Sequence, residues 1–250
     1  MSLPRALAPA LLALLLSPLA ALGAGCRSAD PHAPHAAPGA DADTAAEPNR
    51  DRHGMADVER YIEVLGSESR VAELRVPEVV AALALPADAV VADIGCGPGV
   101  FALPFARACP DGYVLAVDVE PRQLDALRER LLAEDVANVV PVLGSYSDPH
   151  LPPGRVDLIF VADTYHHLED RVAYFERLAR ALAPGGRLAL VEYLPGDLPV
   201  GPPADHKLPA GVREAELGEA GWRLERRFEL HRYHAFDVWV RADDPVSPPR

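Results

Sequence analysis

Three glycines at alternate positions, Gly95, Gly97 and Gly99, follow an apolar run that holds one acid, Val90-Val91-Ala92-Asp93-Ile94. Glycine tolerates positive φ and has no side chain, so such a turn lets main chain approach a ligand closely. The helix expected behind it adds unpaired N–H groups, which favour an anionic group in the crook. Asp93 adds a second signal, because a carboxylate in a buried strand is costly unless hydrogen-bonded or paired. Its partner is either an ammonium-bearing ligand or the N–H groups of its own glycine loop. About 20 residues beyond the loop stands Asp118, where an acid can take both hydroxyls of a ribose; a solvated strand-end aspartate is the plainer alternative. Gly144-Ser145-Tyr146-Ser147-Asp148 offers hydroxyls and an aromatic face. Asp163-Thr164-Tyr165-His166-His167 gathers polar groups at an expected helix start. There, capping by Asp163 or Thr164 is the plain reading and a proton-accepting histidine the functional one.

These groups need a frame that brings them together. Apolar runs predict strands over Val90–Ile94, Tyr113–Asp118, Asn138–Leu143, Val156–Ala162 and Arg187–Tyr193. Between them the spacing predicts helices: a short one carrying Asp57, Tyr61, Ile62 and Leu65, then Val76–Leu85, and Val100–Ala108. Another starts at Pro121 with Leu124, Leu127 and Leu131 on one face, and a further one carries Val172, Phe175 and Leu178. Ala183-Pro184-Gly185-Gly186 is expected to stop that helix ahead of the fifth strand. After a proline-rich loop to Pro209 come a helix over Val212–Ala220 and two strands, Trp222–Leu230 and Tyr233–Arg241, joined too closely for anything but antiparallel pairing. The expected fold is α/β: a doubly wound, Rossmann-like, seven-stranded sheet, mostly parallel with an antiparallel C-terminal strand. In such sheets ligands sit beyond the carboxyl ends of the strands, where the groups above should converge.

The order of strand, acid, GxGxG, acid after the second strand and polar turn after the third resembles the class I S-adenosylmethionine-dependent methyltransferases over about Asp57 to Arg241. The likeness is to the broad group that includes the ubiquinone and menaquinone C-methyltransferases. It implies that Gly95, Gly97 and Gly99 wrap the methionine part of S-adenosylmethionine, with Asp93 behind the loop. It further implies that Asp118 binds the ribose hydroxyls, that Ser145 and Tyr146 flank the adenine, and that Asp163 belongs to the cofactor site. Ala183-Pro184-Gly185-Gly186-Arg187-Leu188 is similar to the family's turn before the fifth strand. Relatives often have an aspartate where this chain has Ser145, and Asp148 is the residue available to substitute.

Methyl transfer from a sulfonium is an in-line displacement, so the protein's share is mostly orientation and exclusion of water. A general base is needed only where the nucleophile carries a proton, and His166 or His167 could accept it. Tyr193, Asp205, His206 and Lys207, after the fifth strand, could shape an acceptor pocket, although a loop lysine is ordinarily solvated. No metal site is expected, for the histidines lack the helical i, i+4 spacing. The dinucleotide fingerprint requires a glycine where Val100 stands, which speaks against a nicotinamide-dependent oxidoreductase.

The 250 residues carry a formal net charge of −13, which argues against a nucleic-acid surface and leaves a small molecule or lipid as acceptor. Cys26, Cys96 and Cys109 have no CxxC spacing. Residues 1–26 read as a signal peptide: Arg5, a Leu/Ala run from Ala6 to Ala21, then Leu22-Gly23-Ala24-Gly25-Cys26, similar to a bacterial lipoprotein box. A lipidated Cys26 would anchor the protein to a membrane in the cell envelope. A translated start upstream of a cytoplasmic protein is the alternative. Residues 27–54 hold hardly a large apolar side chain and read as a tether, residues 55–241 as the folded domain and 242–250 as a flexible tail. Because the methyl donor is made in the cytoplasm, an envelope location raises a second possibility, a tethered module that binds the cofactor or a nucleoside without turnover.

Overall fold

Strand β1 (Val90–Ile94) is buried on both faces, as its unbroken apolar character requires of an inner parallel strand. It lies between β2 (Tyr113–Asp118) and β4 (Val156–Ala162), parallel to both. The computed structural model describes residues 58–244. The expected leader with Cys26, the tether and residues 245–250 of the tail lie outside the described residues. With β3 (Val139–Leu143), β5 (Leu182–Tyr193), β6 (Trp222–Phe228) and β7 (His234–Arg241), the sheet has the order β3-β2-β1-β4-β5-β7-β6. The first five strands are parallel, and β7 inserts antiparallel between β5 and β6. This is the α/β, Rossmann-like seven-stranded architecture expected from the alternation of strands and helices. The order reverses between β1 and β4, which opens a crevice at their carboxyl ends.

Helices α1 (Val58–Leu65), α2 (Glu68–Glu73), α3 (Val76–Leu83), α4 (Ala102–Ala108), α5 (Pro121–Ala133), α6 (Arg171–Ala181) and α7 (Val212–Glu219) complete the fold. One face of the sheet packs against α3, α4 and α5 through Phe101, Phe105 and Phe160, whose rings lie 4.5 to 6.1 Å apart. The other face packs against α6 and α7 through Tyr165, Phe175, Leu217, Trp222 and Trp239. Leu124, Leu127 and Leu131 form the buried face of α5, and Glu120 caps that helix by accepting from the Arg122 N–H. Cys96 and Cys109 are free and buried. No helix among the described residues is long and apolar enough to cross a membrane.

Several details depart from the sequence expectation, among them β6 ending at Phe228 rather than Leu230 and α3 at Leu83 rather than Leu85. A helix not expected, α2, is started by Ser67, whose hydroxyl accepts from the Arg70 N–H. Helix α4 begins at Ala102 rather than Val100, because Gly99 to Phe101 complete the glycine turn. Asn138 stays out of β3, its side-chain amide donating to the carbonyls of Ala106, Cys109 and Gly112. Ala183-Pro184-Gly185-Gly186 does not separate α6 from β5: the strand begins at Leu182 opposite Val156, and a bulge then sets Arg187 opposite Leu158.

Candidate active site

The glycine loop is fixed from three sides. Its first N–H groups, of Gly95 and Cys96, both donate to the Val117 carbonyl at the end of β2. Gly95 has φ +70°, and a Cβ there would lie 2.2 Å from the Thr164 hydroxyl, so the exit of β4 packs directly on the turn. Asp118 holds the middle: one carboxylate oxygen accepts from the Gly97 N–H and the other from the Glu120 N–H, each at 2.9 Å. Burial pushes the Asp118 carboxyl up against the pull of those N–H groups. At Gly99, φ is +84° and a Cβ would meet Leu127 of α5 at 2.4 Å. Helix α1 lies over the loop, with Leu65 facing Gly97. Tyr61 of α1 is set among the charges of Arg70, Asp163 and Asp118, its hydroxyl pushed up chiefly by burial.

Asp93 is 2% exposed, and its Oδ2 has no hydrogen-bond partner. The group that does reach its carboxyl is the N–H of Ala102 at the start of α4, not an N–H of the glycine loop. Burial, together with the negative charge of Asp118, pushes Asp93 up to about 8. Glycine at 95 and 99 is required by the packing of Thr164, Leu103 and Leu127 on the turn, and the enclosed Asp93 oxygen behind it is a buried acceptor suited to a cationic group. S-adenosylmethionine carries such a group in its ammonium, and Asp93 would hold it. Ser145 sits in the turn after β3, tied to the Asp118 carbonyl through the adjacent Gly144 N–H. Its hydroxyl closes the turn by accepting from the Asp148 N–H, while the Asp148 carboxylate accepts from the His150 N–H. Tyr146 follows in the same turn, half-buried.

After β4 the chain does not enter a helix at Asp163. It makes a 3-10 turn over Tyr165–His167, and α6 starts later, capped by Asp170. Thr164 caps nothing; its hydroxyl donates to the Ala162 carbonyl. Asp163, at φ +47°, turns its carboxylate onto the Arg70 guanidinium and lies 3.3 Å from His234 Nε2. Burial opposes ionisation of Asp163, but His234 and Arg70 outweigh it and hold the carboxyl below its ordinary value. The two histidines part company here. His166 Nδ1 lies 2.9 Å from Oε1 of Glu192, a buried residue at the end of β5. The same carboxylate accepts from the backbone N–H of Tyr193 and of His166. Burial works against the imidazolium of His166, yet Glu192 outweighs it and raises the pKa above the usual 6.5. The His167 ring lies 4.0 Å from the His166 ring, tilted by 45° to it.

Arg70 extends the constellation, donating to the Tyr193 hydroxyl at 2.5 Å as well as to Asp163. The Tyr193 ring in turn lies 4.1 Å from the His234 ring. Of the loop residues expected to shape an acceptor pocket, Tyr193 faces this cluster, while Asp205 and His206 are exposed. Lys207 is buried, contrary to the ordinary reading of a loop lysine, because Gly196 and Tyr193 take up its ammonium. Glu192, Arg70 and His234 escaped the sequence reading. Glu192 carries the same signal as Asp93, a single acid ending an apolar run, Leu188-Ala189-Leu190-Val191.

A family model described as a methyltransferase domain matches residues 91–186. The chain is 31% identical over 166 residues to the 27-O-demethylrifamycin SV methyltransferase of Amycolatopsis mediterranei, covering 60% of this chain and 59% of that one, under two thirds of the relative's length. It is 32% identical over 193 residues to the trans-aconitate 2-methyltransferase of Methylobacterium nodulans, covering 74% of this chain and 67% of that one. Among solved structures, a SAM dependent methyltransferase from Aquifex aeolicus matches with a TM-score of 0.67 at 27% identity, covering 73% of this chain and 97% of the other. With that fold, glycine turn and kinship, the chain belongs to the class I S-adenosylmethionine-dependent methyltransferases.

Proposed function

We propose that this enzyme methylates a small organic acceptor whose nucleophile carries a proton, a hydroxyl being the simplest. The observation that carries this reading is the buried His166–Glu192 pair at the ends of β4 and β5. With Nδ1 of His166 donating to Glu192, Nε2 is the nitrogen able to take a proton from the acceptor. Bound S-adenosylmethionine supplies a methyl group on a positively charged sulfur. The chain's own residues do the rest: Gly95, Gly97 and Gly99 admit the methionine end, Asp93 receives its ammonium, Asp118 takes the ribose hydroxyls, and Ser145 and Tyr146 flank the adenine. Asp163 acts at one remove, holding Arg70 and with it the α2 segment against the cleft. The names of the two curated relatives, a rifamycin and an aconitate methyltransferase, support small acceptors. Radiolabelled cofactor incubated with fractionated extract identifies the fraction that gains label. Within that assay, His166→Gln should lower turnover by about 10²–10⁴-fold and leave S-adenosylhomocysteine affinity intact. Unchanged turnover would remove the base role, and His167→Gln serves as the comparison.

We infer from Leu22-Gly23-Ala24-Gly25-Cys26 a lipid anchor at Cys26 and a place in the cell envelope, where the acceptor could itself be a lipid. Palmitate labelling should then depend on Cys26, and label that persists in Cys26→Ala would leave the cytoplasm as the alternative. Protein that binds S-adenosylhomocysteine yet transfers no methyl to any fraction would instead support a tethered binding module.

A further inference from the structure

Helix α2 buries none of its residues, and of α1 only Val58 is buried. The end of α1 nevertheless rests on the glycine turn. A Cβ at Gly97 would meet Leu65 at 3.4 Å, and one at Gly66 would lie 3.9 Å from the Pro98 ring. Residues four apart share a helix face, which sets Tyr61 on the same side of α1 as Leu65. A segment that covers a ligand site with so little apolar burial opens more readily than the core beneath it, unless polar contacts hold it down.

Two sets of contacts do so. At the far end of α2 the carbonyl of buried Leu74 accepts from His231 Nε2 at 2.9 Å, and Arg75 donates to the Leu230 carbonyl at 2.8 Å. Arg75 stands at φ +48°, uncommon for a residue with a side chain, and α3 beyond it is anchored by Val76, Val79 and Leu83. The chain thus has a fixed point at Arg75. Within α2, Arg70 reaches past Glu73 of its own helix: its guanidinium grips the Asp163 carboxylate just after β4 and donates to the Tyr193 hydroxyl at 2.5 Å at the end of β5. The side chains of Arg70 and Asp163 are 13% and 11% exposed, so solvent screens this ion pair little. By contrast, Glu59 of α1 pairs with Arg122 at 3.6 Å in the open, where such a contact holds little. The segment is therefore fixed at one end and gripped, through Arg70, at the exits of β4 and β5.

We propose that α1 and α2 form a cover that turns about Arg75, and that Arg70 is its latch, setting how fast S-adenosylmethionine enters and S-adenosylhomocysteine leaves. The inference rests on the cofactor lying at the glycine turn. Hydrogen–deuterium exchange of the full chain, free of ligand, compares wild type with Arg70→Met and Tyr193→Phe. In Arg70→Met, which removes charge-assisted hydrogen bonds, exchange across residues 58–74 should rise about tenfold or more and stay at the wild-type rate from Val76 through β1. Surface plasmon resonance then gives the rates for S-adenosylhomocysteine. Association and dissociation should both quicken by about tenfold or more, so that affinity changes less than either rate; loss of a direct contact would quicken dissociation alone. Tyr193→Phe keeps the ring, removes one partner of Arg70, and should fall between. An unchanged association rate, or exchange that spreads past Arg75 into α3 and β1, overturns the proposal. Should Arg70→Met fail to fold, Tyr193→Phe decides: both rates faster than wild type uphold the latch, and unchanged rates overturn it. Wild type that binds no S-adenosylhomocysteine would strike the cofactor reading and the gating with it, whereas binding with an unaltered association rate strikes the latch alone.

Discussion

Replacing Asp93 by asparagine should change how the stability of the ligand-free protein depends on pH. The native carboxyl is raised to about 8 from 3.8, so the folded chain holds this proton over a range where the unfolded chain has lost it. The sign follows: stability is greatest at low pH and falls as pH rises from the unfolded value toward the folded one. One pH unit within that window corresponds to about 1.4 kcal/mol, so wild type should lose about 4 kcal/mol relative to Asp93→Asn between pH 5 and pH 8. The amide keeps the shape and never ionises, so the difference reports the Asp93 carboxyl together with its coupling to Asp118. Urea denaturation of both proteins at each unit of pH measures the difference. A difference that stays flat with pH would refute the reasoning, for it would mean that Asp93 ionises in the fold with some partner other than the Ala102 N–H. The same linkage predicts that S-adenosylhomocysteine, with its ammonium, binds wild type more tightly as pH rises toward 8 and binds Asp93→Asn without that trend.

Glu192→Gln should move the acid limb of the kcat profile to lower pH, because burial alone disfavours the His166 imidazolium that Glu192 now supports; an unmoved limb would detach His166 from the reaction. Gly99→Ala places a Cβ 2.4 Å from Leu127 in a left-handed conformation and should cost about 1–3 kcal/mol in urea denaturation together with cofactor affinity. Wild-type stability in that variant would show that α5 can retreat. Asp237→Asn removes a fully buried carboxylate that accepts from both Arg213 and Arg227, and should destabilise the fold by about 3–5 kcal/mol. A thermal midpoint equal to that of wild type would argue against an uncompensated Arg213.

The parts of the site that were legible in the sequence are those set by neighbouring residues. The acid in β1, the three glycines and Asp118 all lie along one strand–turn–helix–strand path, so their spacing alone brings them together. Glu192, Arg70 and His234 meet through pairing across distant strands: Tyr193 stands opposite His234 only because β7 runs antiparallel to β5 in one register. Helix α2 was invisible for the same reason, since Arg70, besides Glu73 in its own helix, reaches Asp163 just after β4 and Tyr193 on β5. The bulge at Gly185 and Gly186 shows the opposite limit, residues that ordinarily end a helix being absorbed into a strand when the neighbouring strand supplies the ladder. A lone acid in an apolar run was read at Asp93 and could equally have been read at Glu192 and in Phe236-Asp237-Val238.

Asp118 joins two segments by a single side chain, the turn at Gly97 and the start of α5 through Glu120. A tug on either oxygen is therefore felt at the other. Adenosine alone and homocysteine alone, which would occupy opposite ends of the cleft, should consequently bind with cooperativity beyond their direct contact. Half a cofactor would then prepare the cleft for the other half.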